Sequence, residues 1–149
     1  MKKIHLYWQN VPVDTETLND NSVAYLWLRK GMRLFLNNTQ TPQEFINKFN
    51  IVKDDEISLR SALLLHPEEL SQEEKEDIRK LLINALQPIY NTHTDLALKN
   101  SYKGGDYIIV SWGCEFVPRA IQSHNNNVFF NDFYPPKEVK GLIKVRWGK

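Results

Sequence analysis

The segment Ser71 to Leu86, SQEEKEDIRKLLINAL, constrains the fold more than any other stretch of the chain. Ser71 and Glu74 have the spacing of a capping box, in which each side chain satisfies the other residue's backbone N–H at a helix start. Ile78, Leu81, Leu82, Ala85, Leu86 and Ile89 then recur at the i, i+3, i+4, i+7 positions of one helical face. That apolar stripe has to be covered, and the flanking sequence supplies strands to cover it.

The opening KIHLYW alternates Ile4, Leu6 and Trp8 with His5 and Tyr7, the period-two pattern of a half-buried strand, and Pro12 ends it. Far downstream, YIIVSW follows the Gly-Gly turn of YKGGD and has the short apolar run of a buried strand. NVFF after the HNNN turn is a further strand, and GLIKVRW alternates Ile143, Val145 and Trp147 against Lys144 and Arg146. Between these groups the spacing predicts more helices. In SVAYLWLRKGMRLFL, Ala24, Trp27, Leu28, Gly31 and Phe35 share one helical face and Arg29, Lys30 and Arg33 another, with Gly31 calling for a close contact. TPQEFINKF has Thr41 as N-cap, Pro42 at the first helical position and Glu44 three residues after the cap, and DDEISLRSALLL is helical until His66-Pro67. The pattern predicts one α+β domain over residues 1–149, with an antiparallel or mixed sheet from the N-terminal strand and the C-terminal strands packed against a helical middle region.

Size permits this without staples: a chain of 149 residues buries roughly two thirds of the surface its unfolded form exposes. Its single cysteine excludes an internal disulfide. After Lys2 and Lys3, the polar His5, Gln9 and Asn10 interrupt any signal-like apolar run, which predicts a cytoplasmic protein. No stretch approaches the roughly 20 apolar residues of a membrane-spanning helix, so no membrane is expected.

The net charge of +1 gives no global field toward nucleic acid, yet the charges are unevenly placed. Nine of the 18 acidic residues lie between Asp54 and Asp77, and Pro135 to Lys149 carries Lys137, Lys140, Lys144, Arg146 and Lys149 against Glu138 alone. An acidic side and a basic side are expected.

Candidate chemistry centres on VSWGCEFVPR. If CEFVPRAI opened a helix, Cys114 would sit at its positive end as a nucleophile, with His124 or His93 as base and Asp132 or Asp95 as orienter. Glu115 opposes a thiolate there and Pro118 shortens such a helix, so a packed, inert cysteine is the simpler reading. The four histidines show no metal-ligand spacing, and neither a metal nor a cofactor is expected. KGGD opens a strand rather than a helix, unlike a phosphate loop. In VSWG, echoed by VRWG near the C-terminus, glycine supplies a backbone turn that a Cβ would oppose.

What remains is recognition. The expected function is a non-enzymatic protein-binding module, a small inhibitor or immunity protein of the bacterial type, that blocks a partner's site by complementary charge. The acidic candidates are Glu68, Glu69, Glu73 and Glu74, and the basic ones Lys137, Lys140, Lys144 and Arg146. Two alternatives stand beside it: a hydrolase or transferase using Cys114, and single-stranded nucleic-acid binding through Arg119 with the same basic residues near Phe133, Tyr134 and Trp147.

Overall fold

The computed structural model describes residues 2–11, 22–37, 47, 56–65, 70–91, 102–131 and 143–144. They form a mixed sheet and one long helix, an α+β arrangement. In chain order the elements are β1 (Lys2–Val11), β2 (Ser22–Arg29), β3 (Met32–Asn37), β4 (Ile57–Leu64), α1 (Gln72–Leu86), a short 3-10 turn (Ile89–Asn91), β5 (Tyr107–Trp112), β6 (Ala120–His124), β7 (Asn127–Asn131) and β8 (Ile143–Lys144). The sheet order is β3-β2-β4-β1-β5-β6-β7-β8. Among the described strands only β1 and β5 run parallel, with Ile4 beside Ile109 and Tyr7 beside Trp112.

The expected helical middle is corrected in two places. SVAYLWLRKGMRLFL is the β2–β3 hairpin, turning at Lys30 and Gly31 with φ of 49° and 82°, the left-handed pair that a two-residue hairpin turn requires. Gly31 does make a close contact, but with a loop: a Cβ there would lie 2.9 Å from the Phe116 ring. DDEISLRSALLL contributes β4, which pairs with β1 on one side and β2 on the other. The predicted Thr41 helix falls outside the described residues except for Asn47, which is helical.

α1 forms where the sequence predicts, except that it ends at Leu86 and Ile89, expected on its apolar stripe, lies in the 3-10 turn and is exposed. Ser71 Oγ accepts from the Glu74 backbone N–H, and a Glu74 carboxylate oxygen accepts from the Ser71 N–H, both at 3.0 Å. Ile78, Leu81, Leu82, Ala85 and Leu86 bury their stripe with Ile4, Leu6, Trp8, Leu26, Ile109 and Ile121 in one core on that side of the sheet. Within it the Trp8 indole N–H donates to Ser111 Oγ at 3.0 Å, tying β1 to β5. Asp77 fastens the helix to the loop before β5, accepting from the Gly105 N–H at 3.1 Å and from Tyr107 Oη at 3.2 Å. On the opposite side Tyr25, Trp27, Leu34 and Leu59 form a second cluster. β2 is thus buried on both faces, which is why its sequence is apolar without alternation.

Candidate functional site

β1 lies in the middle of the sheet, yet one of its faces is largely open apart from Val11, which packs on the second cluster. Ile4, Leu6 and Trp8 enter the core, while Lys3, Tyr7 and Gln9 on the other face are exposed. Tyr7 is 44 % exposed, an unusual position for an aromatic on an internal strand. Its neighbours extend the surface. Leu63 of β4 stands directly opposite Tyr7, and Leu65 follows, its N–H donating to the His5 carbonyl at 3.0 Å. Leu65 is itself 45 % exposed. On the other flank Trp112 lies beside Tyr7 in the parallel ladder, and the Arg119 guanidinium stacks 4.3 Å from the Trp112 ring centroid. Leu65, Leu63, Tyr7, Trp112 and Arg119 therefore form one stripe across β4, β1, β5 and the start of β6.

The loop after Trp112 sets the end of this stripe. Gly113 has φ of 86°, and a Cβ there would lie 2.9 Å from both the Trp8 carbonyl oxygen and the Tyr7 ring. The turn expected of the Trp-Gly pair is present, and the missing side chain is what lets the Tyr7 ring lie against the backbone. The loop then crosses to the core side, where Cys114 and Phe116 pack on the main core and Arg33 Nη1 donates to the Phe116 carbonyl at 2.8 Å. Burial depresses the Arg33 pKa, an effect partly offset by the nearby Cys114.

Cys114 is not at a helix start: residues 113–119 are turn and bend, leading directly into β6. Burial pushes its thiol up and Glu115 adds to the rise, while a hydrogen bond with the Phe116 backbone and the Arg60 guanidinium pull the other way. His124 ends β6 beside Asp106, with Nδ1 3.3 Å from a carboxylate oxygen. Asp106 precedes β5 and Cys114 follows it, so about 20 Å of strand separates the thiol from that imidazole. His93, Asp95 and Asp132 lie outside the described residues. We expect iodoacetamide near neutral pH to alkylate Cys114 on the order of ten times more slowly than a free thiol. Rapid labelling would contradict this environment.

The acidic candidates divide. Glu73 is exposed, as is Glu76 beside it. Glu74 is engaged twice over, by the cap and by Lys2 Nζ at 3.0 Å. The Ser71 N–H first, and Lys2 after it, hold its carboxyl below the usual range. Glu68 and Glu69 lie outside the described residues, as do Lys137, Lys140 and Arg146, and Lys144 is placed in β8 by its backbone alone. Among the described residues no three His, Cys, Asp or Glu gather as metal ligands, and no helix is long and apolar enough to cross a membrane.

Of the stripe, sequence reasoning singled out only Arg119. Tyr7, Leu63, Leu65 and Trp112 were missed as contact residues. One signal was present: in KIHLYW the bulky Tyr7 falls on the polar side of the alternation, out of register with Ile4, Leu6 and Trp8. No protein-family model matches the chain, and no curated protein or solved structure matches it.

Proposed function

We propose that this protein is a non-enzymatic binding module that acts by covering a site on a protein partner, in the manner of a small cytoplasmic inhibitor or immunity protein. The observation that carries this reading is the stripe of exposed Tyr7 and Leu65 with half-buried Leu63, beside the Trp112–Arg119 contact. Tyrosine, tryptophan and arginine are the residue types that dominate binding energy at protein interfaces. A sheet face also presents them on a rigid support, which limits the ordering cost of association.

The cysteine-dependent alternative has a thiol raised by burial and lies far from His124. The acidic version of the binding reading retains Glu73, while Glu74 serves the helix cap and Lys2. Against nucleic acid, the Trp112 face that a base would stack on is already taken by Arg119, and Leu63 and Leu65 offer a base neither charge nor ring.

The test uses the full chain, a partner that co-purifies with it at stoichiometric ratio, and surface plasmon resonance. Tyr7→Ala should weaken the complex by roughly 30-fold. It should leave the thermal midpoint nearly unchanged, because the ring is half in solvent. An unaltered affinity for Tyr7→Ala and Leu65→Ser alike would refute the assignment of this face.

A further inference from the structure

The described strands contain no aspartate or glutamate at all, while Lys2, Lys3, Arg29, Arg33, Arg60 and Lys144 lie within them. The described carboxylates are confined to α1 and to the connections at Glu56, Asp106 and Glu115. Several of these are engaged within the fold: Glu56 approaches Lys30 at 4.0 Å, Glu74 meets Lys2, Asp77 holds Gly105 and Tyr107, and Asp106 faces His124. Lys2 and Arg33 turn to the helix side, to Glu74 and the Phe116 carbonyl, and Arg60 lies beside Cys114, so among the described residues the charges that flank the stripe are the cations Lys3 and Arg119. Lys3 is exposed on the same side of β1 as Tyr7, and Arg119 closes the other end of the stripe.

Arg119 has a particular geometry. Its guanidinium is stacked on Trp112, and among the described residues no carboxylate forms an ion pair with it. A guanidinium laid flat on a ring keeps its in-plane N–H donors, the fork that matches a carboxylate in a bidentate pair. A ring that fixes the plane in advance reduces the side-chain entropy lost on binding.

We infer that the open face receives a protein segment that presents a carboxylate between apolar side chains, the carboxylate meeting Arg119 and the apolar groups meeting Tyr7, Leu63 and Leu65. This inference rests on the binding reading above and adds the chemistry of the partner. Arg119 anchors the charge, and Lys3 raises the rate of encounter through its field.

The test is selection from a phage library of random 16-residue peptides on the full-length protein, on Arg119→Ala and on Tyr7→Ala. The expected result is enrichment of sequences that place aspartate or glutamate beside leucine, phenylalanine or tryptophan. Synthetic versions of the winners should lose affinity about ten-fold on Arg119→Ala, regain only part of it with Arg119→Lys, and weaken as salt rises. Winners that are basic or uncharged, or acidic winners held equally well by Arg119→Ala, would overturn the inference while leaving the binding face in place if Tyr7→Ala still abolished them. Winners indifferent to Tyr7→Ala, or tighter binding of oligo(dT) than of any peptide, would remove the binding reading together with the inference.

Discussion

Asn91→Leu is expected to lower the stability of the fold by about 3 kcal/mol, although the two side chains have nearly the same shape. The reason lies at the outer strand β3. Leu36 N donates to Asn91 Oδ1 at 2.8 Å, and Asn91 Nδ2 donates to the Leu36 carbonyl at 3.1 Å, so one amide side chain takes the place of a neighbouring strand. Both residues are buried, Asn91 at 5 % and Leu36 at 1 % exposure. Leucine would keep the packing and strand two backbone groups away from water, each at roughly 1–3 kcal/mol. Urea denaturation followed by tryptophan fluorescence measures the loss, as a lower midpoint with an unchanged slope. A loss below about 1 kcal/mol would mean that water reaches the Leu36 groups when the amide is gone. The variant should also self-associate more readily, because an uncapped edge is a template for another strand.

This strand cap shows where sequence patterns stop being informative. α1 was legible because its determinants are local: the Ser71–Glu74 box and the apolar stripe lie within one segment. β1, β5 and β7 were legible for the same reason, the last behind the turn at Asn125 and Asn126, which accept φ of 49° and 64°, whereas β6, Ala120–His124, has no strand signal of its own in the sequence reading. β2 and β3 were not. A strand buried on both faces loses its alternation, and an apolar run of this kind matches helical spacing by accident. The local clue was Lys30-Gly31, which marks a hairpin once both flanks are taken as strands. β4 was hidden similarly, since the acids before it resemble a helix start and its buried Ser61 points inward, pairing with the hydroxyl of Ser22.

The candidate site depends on pairings that no local pattern encodes. Trp112 and Arg119 were both inside the stretch that drew attention for its lone cysteine, but their partner Tyr7 comes from the other end of the chain. The parallel register of β1 and β5 brings Tyr7 beside Trp112. Parallel strands need a long crossover, and here the intervening chain contains the hairpin, β4 and α1, so the contact was not visible from either segment alone.

Gly113 joins stability to recognition, and its replacement by alanine should cost about 3 kcal/mol. A left-handed backbone conformation accounts for roughly 1–2 kcal/mol of this for any residue with a Cβ. Crowding supplies the rest, because the added methyl would meet the Trp8 carbonyl and the Tyr7 ring, each at 2.9 Å. The two contributions can be separated with Tyr7→Ala. If the ring rests on Gly113, Gly113→Ala should cost about 1 kcal/mol less in the Tyr7→Ala background, since the carbonyl clash and the backbone strain persist but the ring clash is gone. Strict additivity in this cycle would show that the ring does not rest there. The same substitution should also weaken the partner complex, because the methyl displaces Tyr7 from its place beside Trp112. A variant that lost stability yet kept full affinity would show that partner binding tolerates displacement of the Tyr7 ring, and would shift the weight of recognition to Arg119 and Leu65.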